Sequence, residues 1–341
     1  MNGLYFHIPF CRSKCPYCDF FSVKYNSTLA DKYADKIIDE IKKYNGSFDT
    51  IYFGGGTPSI IDSSLIGKII DASKNQFEIS DNCEITVECN PSTVTEKLFE
   101  DYARFGVNRI SLGMQSARNE ERFALGRAAG KAEVAKAVSS AKKAGISNIS
   151  LDIMLGTPKQ TLDSIDETFE FIDKMNVTHI SAYMLKIEEN TSFFEIKDRL
   201  ALPDEDTVCD MYLKTVEVLN ALGFKQYEIS NFSKPTFESR HNLKYWELEE
   251  YLGIGASAHS FWNGKRFYYD KNFNIVYDGI GGTAEEKIML GMRLNKGIDK
   301  SLVKKDYSQF VKAGLITETE KSIALTPQGM LVSNFIISEL I

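Results

Sequence analysis

The sequence predicts an α/β fold, in which a partial (β/α) barrel is followed by a small helical, winged-helix-like domain. Short apolar segments alternate with helical patterns over the first two thirds of the 341 residues. Such alternation is typical of parallel strands joined by right-handed crossovers. The apolar segments are nearly continuous rather than alternating in polarity, as expected for strands that are buried on both faces.

Six segments rich in β-branched and aromatic residues are predicted to be the barrel strands. They cover residues 4–8, 50–53, 85–88, 109–112, 150–154 and 179–185. Between them apolar residues recur at helical spacing, as at Ile165, Phe169 and Ile172. A further helix is predicted over residues 207–222, because Gly223 stands where a helix ends.

After Gly223 the pattern changes, and residues 224–232 are predicted to add one strand and a turn. We place the barrel at residues 1–235, a connecting segment at 236–282 and the C-terminal domain at 283–341. The winged-helix-like character is predicted from element order: short helices, a hairpin-like segment and a final apolar helix.

Composition excludes some partners and favours others. The net charge is −7, whereas a protein that binds duplex DNA or an anionic membrane usually presents a basic surface. No signal peptide or membrane-length apolar segment is visible, so a cytoplasmic location is expected. In that reducing compartment cysteines rarely form disulfides, so a close group of them indicates metal binding or catalysis.

Three cysteines, Cys11, Cys15 and Cys18, follow the first predicted strand in CRSKCPYC. Three thiolates can hold three corners of a [4Fe–4S] cluster, and a fourth cysteine normally completes an electron-transfer site. Because none follows nearby, one iron is left for an external ligand, and S-adenosylmethionine can chelate it through its amino and carboxylate groups. The sequence therefore predicts an open [4Fe–4S] site.

A zinc site or three unrelated thiols are the alternatives. Zinc prefers four ligands, commonly with two-residue spacers, and no second pair is present. The remaining cysteines, Cys83, Cys89 and Cys209, are isolated, and each is expected to be a small buried apolar residue.

Motifs that match those of one known protein family extend along nearly the whole chain. They are YFHIPFCRSKCPYCDF, IYFGGGTPS, VECNP, SLGMQS, LDIMLGTPKQT, SAYMLKIEENT, QYEISNFSKP, HNLKYW and YLGIGASAHS. In these motifs the sequence resembles the radical S-adenosylmethionine (radical SAM) proteins related to oxygen-independent coproporphyrinogen III oxidase. The resemblance implies a partial (β/α) barrel of the radical SAM type with a smaller helical domain after it.

The resemblance also implies which residues bind S-adenosylmethionine. Most of them follow predicted strands, where the chemistry of such barrels collects, and glycines there let the backbone approach a ligand closely. The residues carried over are Tyr5, Tyr17, Gly55, Gly56, Thr57, Glu88, Gln115, Arg127 and Asp152.

Two branches of this family differ in ways that the sequence shows. The oxidases resemble CxxxCxxCxC, whereas Phe20 stands here at the fourth cysteine position. They also carry an extension before the cluster strand, which this sequence does not show. Both departures weaken the expectation of oxidase activity. The chain resembles more closely the haem chaperones of the HemW type, through CPYCDF and an HNxxYW motif.

That motif makes His241 the candidate haem ligand, because histidine is a common axial ligand of haem iron. In a helix His241 and Tyr245 would share a face. The alternative is that His241 only caps or hydrogen-bonds a buried turn. Of the other histidines, His259 is a second candidate expected to be structural, His7 is expected to orient the cluster loop, and His179 has no suggestive neighbours.

The leading hypothesis is a haem chaperone that passes haem to an acceptor protein, with an electron donor for the cluster. Contact with a membrane surface is expected only through the acceptor. The alternative is oxygen-independent coproporphyrinogen III oxidase, or a radical enzyme with another substrate. A third class is a DNA-binding redox sensor that reads DNA with C-terminal lysines, although lysines so spaced usually form a solvated face.

Overall fold

A twelve-stranded sheet runs through the protein in the computed structural model, which describes all residues from 1 to 341. The first part of the chain contributes eight strands and seven helices. The strands are β1 (Asn2–Ile8), β2 (Phe10–Cys11), β3 (Val23–Lys24), β4 (Ser47–Gly55), β5 (Glu78–Cys89), β6 (Arg109–Gln115), β7 (Asn148–Leu155) and β8 (His179–Met184). The helices are α1 (Ser27–Ile41), α2 (Ser63–Gln76), α3 (Glu96–Phe105), α4 (Asn119–Ala124), α5 (Lys131–Lys143), α6 (Leu162–Met175) and α7 (Ser192–Glu195).

The six predicted barrel strands are confirmed. Strands β1, β4, β5, β6, β7 and β8 pair in that order, and every pair is parallel. Helices connect consecutive strands. Because the strands are parallel, their carboxyl ends lie on one side of the sheet, as in a partial (β/α) barrel.

Helix α1 shows why the crossovers are helical. Asn26 caps the helix, because its side chain accepts a hydrogen bond from the Leu29 amide at 3.0 Å. Ala30, Ala34, Ile37 and Ile41 recur at helical spacing and are all buried. This apolar face packs on the hydrophobic core that also contains the barrel strands.

The middle of the chain widens the sheet at both edges. Its elements are α8 (Glu205–Ala221), β9 (Lys225–Glu228), β10 (Asn231–Ser233), α9 (Arg240–Trp246), β11 (Tyr251–Ile254), β12 (His259–Trp262), β13 (Lys265–Tyr269) and β14 (Ile275–Ile280). Antiparallel β10 and β9 follow β8, while β11 pairs parallel with β1 and is followed by antiparallel β12, β13 and β14. The segment predicted as a connector thus contributes four strands.

The predicted helix before Gly223 is confirmed as α8. Gly223 has φ +85°, the left-handed conformation that ends helices and that favours glycine.

The C-terminal part has the predicted order of short helices, hairpin and final helix. Its elements are α10 (Ala284–Gly291), β15 (Ile298–Asp299), α11 (Ser308–Lys312), β16 (Ile316–Glu318), β17 (Ser322–Leu325), α12 (Pro327–Leu331) and α13 (Ser333–Leu340). Strands β15, β17 and β16 form a small antiparallel sheet. Three 3₁₀ helices complete the chain: Pro58–Ile60, Lys197–Arg199 and Lys300–Leu302.

Two C-terminal lysines that suggested a DNA-binding face are paired with carboxylates. Lys296 pairs with Glu247, and Lys300 lies 3.0 Å from Glu318. These pairs fit the solvated face that the sequence favoured. None of the helices has the length and apolar character needed to cross a bilayer.

Candidate cofactor site

A cavity of about 550 Å³ lies inside the barrel and opens beside the loop that carries the three cysteines. Strand register explains its lining. Glu88, Ser111, Ser150 and His179 are register partners on β5, β6, β7 and β8, so they form one row across the sheet. Because side chains alternate along a strand, every second residue of these strands faces the cavity.

The structure brings eleven of the twelve residues predicted for the iron–sulfur cluster and S-adenosylmethionine to this cavity. They are Cys11, Cys15, Cys18, Tyr17, Gly55, Gly56, Thr57, Glu88, Gln115, Arg127 and Asp152. The exception is Tyr5, which is not part of the lining. Its ring stacks on Tyr52, which is, so Tyr5 supports the cavity wall from behind.

The cluster loop connects β2 and β3 and is anchored by backbone hydrogen bonds. The Val23 amide donates to the Pro9 carbonyl at 2.7 Å, and the Cys18 amide donates to the Cys15 carbonyl at 3.1 Å. His7 ties the loop to β1, because its Nε2 lies 3.1 Å from the Phe21 carbonyl oxygen and its Nδ1 lies 3.1 Å from the Tyr5 hydroxyl. These contacts agree with the predicted orienting role of His7.

The three loop thiols are free, half-buried and directed to the same cavity. Three thiolates at one cavity can each bind a different iron of a cubane cluster. Burial raises the pKa of the Cys18 thiol, and iron binding would offset that cost.

The glycine segment after β4 fits closely against the start of the cluster loop. A Cβ added at Gly56 would lie 2.8 Å from the Phe10 carbonyl oxygen, which is closer than real Cβ contacts. Gly55 has φ +107°, a conformation that side chains rarely adopt. Both positions therefore require glycine, and the backbone of this segment borders the cavity.

Glu88 is held at the end of β5 by two donors. The Tyr52 hydroxyl donates to its Oε1 at 2.8 Å, and the Gly55 amide donates to its Oε2 at 3.2 Å. Burial raises the pKa of Glu88 to about 7, and the nearby Asp152 contributes to the shift. Its protonation state consequently changes close to neutral pH.

Asp152 and Arg127 occupy other parts of the wall. The Ser111 hydroxyl donates to Asp152 at 2.8 Å, and burial raises the pKa of Asp152 despite this bond. Arg127 donates to the Tyr17 hydroxyl through Nη2 at 2.9 Å and Nε at 3.2 Å. This pair connects the cluster loop to the segment after α4.

Sequence reasoning missed several lining residues, among them Arg109, Ser111, Ser150, His179 and Ser181. His179 was predicted to lack suggestive neighbours. In the structure it is buried, with Nδ1 2.8 Å from the Ser150 hydroxyl and Nε2 2.8 Å from the Tyr227 hydroxyl. The sequence contained a signal for these lining residues, because polar residues recur at every second position of these strands and so share one face of the sheet.

His241 lies beneath the cavity and is not open to a ligand. It is completely buried in α9, and its ring packs against Tyr5 and Tyr52. Its Nδ1 lies 2.8 Å from the Thr50 hydroxyl and its Nε2 lies 2.8 Å from the Tyr245 hydroxyl. Burial lowers the pKa of His241 to about 3. In this structure His241 has no free ring nitrogen for a metal, and its assignment as the axial haem ligand stays a prediction.

Comparisons with known protein families agree with this architecture. Residues 5–172 match the Radical SAM superfamily, and residues 283–332 match the HemN C-terminal domain. The structure of coproporphyrinogen III oxidase (HemN) from Escherichia coli, a radical SAM enzyme, superposes with a TM-score of 0.83 over 99% of this chain and 89% of that chain. Their sequences are 21% identical, so this likeness shows the fold alone.

Curated relatives with higher identity carry one name, heme chaperone HemW. The protein from Lactococcus lactis is 35% identical, and the alignment covers 91% of this chain and 85% of the relative. The Bacillus subtilis protein is 31% identical over 98% of this chain and 97% of the relative. The Escherichia coli protein is 37% identical, with 75% and 69% covered.

Proposed function

The chain belongs to the family of the heme chaperone HemW proteins within the radical SAM superfamily, and we propose that it binds haem and transfers it to an acceptor protein. In this proposal it carries a [4Fe–4S] cluster and S-adenosylmethionine. The observation that supports the cofactor assignment is that three free thiols and the polar residues at the strand ends line the same cavity. An electron donor and a haem acceptor are the protein partners that this function requires.

Cys11, Cys15 and Cys18 would hold three irons, and the loop contacts made by His7 would keep the thiols in position. When bound, the reduced cluster and S-adenosylmethionine supply electron transfer that can cleave a carbon–sulfur bond of the latter. The glycine backbone at Gly55 and Gly56 leaves room for close approach of a ligand.

Glu88 and Asp152 would accept hydrogen bonds from the polar groups of S-adenosylmethionine. Glu88 is poised for this, because Tyr52 and the Gly55 amide fix the orientation of its carboxyl group. Arg127 and Tyr17 would close the wall between the loop and the cavity. Enclosure of this kind excludes water from the site.

Phe20 favours the chaperone over the oxidase. Its side chain is 63% exposed on the cluster loop and lines the cavity. An apolar side chain here provides neither a fourth ligand nor an acid or base. The named relatives favour the same choice, since those with 30% identity or more are called heme chaperones.

The cluster assignment is tested with anaerobically prepared protein in which Cys11, Cys15 and Cys18 are all changed to alanine. Iron and sulfide should fall to background, because no other thiol lies in the cavity lining near the loop except the buried Cys89. Cys209→Ala is the matched control: this thiol is also half-buried but lies outside the cavity. Iron and sulfide that persist in the triple variant would disprove the assignment.

The chaperone and oxidase functions are separated in the same preparation. Haem is titrated into the cluster-loaded protein with and without S-adenosylmethionine, and the transfer of haem to an acceptor haemoprotein is followed by absorbance. Stoichiometric binding is expected. Conversion of coproporphyrinogen III to protoporphyrinogen in the presence of S-adenosylmethionine and a reductant would instead establish the oxidase.

A further inference from the structure

The four histidines of the chain differ in whether a ring nitrogen is free. Both nitrogens of His7, His179 and His241 lie within hydrogen-bond distance of protein groups. His259 is the exception: it is exposed, and its ring makes no hydrogen bond. It is therefore the histidine that can accept iron without breaking an existing contact.

His259 is oriented by its neighbours although it is exposed. Its ring stacks on Tyr268 with centroids 5.0 Å apart and an angle of 26° between the planes. Its backbone is packed against Gly253 on β11, where an added Cβ would lie only 2.1 Å from the His259 carbonyl oxygen. The stacking on Tyr268 holds the imidazole, which makes no hydrogen bond, and a side chain that is already held loses less conformational entropy on binding.

This imidazole belongs to a row of three side chains on neighbouring strands. His259 pairs with Tyr268, and Tyr268 pairs with Val276, so the three lie side by side on β12, β13 and β14. Three neighbouring strands span about 10 Å, which is on the scale of a porphyrin ring. Aromatic and aliphatic side chains in such a row can pack along an apolar macrocycle.

We propose that His259 is the axial ligand through which this protein holds haem, on the open face formed by His259, Tyr268 and Val276. This inference rests on the proposed chaperone function and names the residue that binds the cargo. One ligand on an exposed face leaves the opposite side of the iron free for a ligand from the acceptor. Haem could then be handed over without unfolding of the donor.

The charges near His259 are compatible with iron binding. Burial of part of the ring lowers its pKa, as does the guanidinium of Arg266, whereas Asp278 acts in the opposite direction. A lowered pKa favours the neutral ring, whose lone pair can bind a metal.

Met184 is the competing ligand. It is exposed at the end of β8, lines the cavity and could bind iron through its thioether. The cavity around it, however, is the one assigned to the cluster and S-adenosylmethionine. Histidine is also the more common proximal ligand of haem.

The experiment titrates haemin into the cluster-loaded full chain and follows the Soret absorbance. His259→Ala should weaken binding by about tenfold or more and change the spectrum of the bound iron. Free imidazole should restore the spectrum of wild-type protein, because it replaces the lost ligand but cannot replace a structural contact. Met184→Leu should bind haem as wild type does.

Four results would overturn the inference, and they differ in what they leave standing. Absence of haem binding by wild-type protein would remove the proposed function together with it. Unchanged binding by His259→Ala would reject His259 and leave the chaperone function intact. Loss of binding by Met184→Leu alone would move haem to the cavity mouth. Loss in His259→Ala that imidazole does not restore would make His259 structural.

Discussion

The two sequence motifs that suggested ligand binding lie at opposite ends of the barrel interior and have opposite environments. The cluster loop presents three half-buried thiols, Cys11, Cys15 and Cys18, to a cavity at the carboxyl strand ends. Helix α9, which carries the HNLKYW motif, packs against β1 and β4 with the His241 ring fully buried. The cysteine motif is open to a ligand, whereas only Asn242 of the HNLKYW motif reaches the cavity lining and the rest of that motif packs beneath the cavity.

The difference shows that a side chain that could bind a metal must have a donor atom free of other contacts before it can do so. The loop thiols form no disulfide, and Cys11 Sγ makes only a long contact of 3.6 Å with the Thr57 hydroxyl. Both nitrogens of His241 are engaged at 2.8 Å. A buried group that gave up such bonds would leave its partners unsatisfied, at a cost of about 1–3 kcal/mol each.

The largest expected effect tests this contrast directly. His241→Ala should lower the free energy of unfolding by about 3–5 kcal/mol, because it leaves Thr50 and Tyr245 without their partner and opens a cavity. Urea unfolding of the cluster-free protein measures the change. His259→Ala is the matched control, and it should alter stability by less than about 1 kcal/mol because the ring is exposed. A His241→Ala protein as stable as wild type would contradict the supporting role of α9.

A smaller effect concerns Glu88 on the cavity side. Its pKa is about 7 in the folded protein against an ordinary 4.5, so between these pH values the folded state keeps a proton that the unfolded state has lost. The contribution of Glu88 to the free energy of unfolding should therefore fall as pH rises from 4.5 to 7, by on the order of 3 kcal/mol, and stay level above 7. Urea unfolding of cluster-free wild-type and Glu88→Gln proteins at several pH values isolates this contribution. A difference between the two proteins that does not vary with pH would refute it.

The smallest effect is expected on the loop itself. Phe20→Ser should change the free energy of unfolding by no more than about 0.5 kcal/mol, because the side chain is 63% exposed. Phe53, which is completely buried in β4, supplies the contrast, and Phe53→Ala should cost about 3–5 kcal/mol. A strong destabilisation by Phe20→Ser would mean that the loop contributes to the packing of the barrel.

The sequence predicted the barrel strands well because each one is a short segment that contains several buried apolar residues and is bounded by turns, although polar residues alternate with them in β6, β7 and β8. It also placed Glu88, Gln115 and Asp152 at one edge, since the carboxyl ends of parallel strands meet there. It underestimated the middle of the chain. Only β11 pairs with β1 over a long sequence separation, which leaves little local signal. Strands β12, β13 and β14 pair as hairpins, and the Asn263–Gly264 turn between β12 and β13, with both φ values positive, is a local hairpin signal that the prediction did not use.

The histidines show the same limit of prediction from sequence. His241 stands in a family motif and was the favoured ligand, yet its ring nitrogens are occupied. His259 was expected to be structural, yet its ring is exposed and free. Their difference lies in contacts with residues that are distant in sequence, such as Thr50, which pairs with His241 across 191 positions.

The sequence by itself determined the fold class, the three-cysteine loop and the polar strand ends, because these depend on local periodicity, spacing and residue chemistry. The tertiary structure alone decided which of those groups are open to a ligand. Burial and hydrogen-bond saturation arise only when strands and helices that are far apart in the chain come together. These long-range contacts bury His241 and engage both of its ring nitrogens, whereas the ring of His259 makes no hydrogen bond.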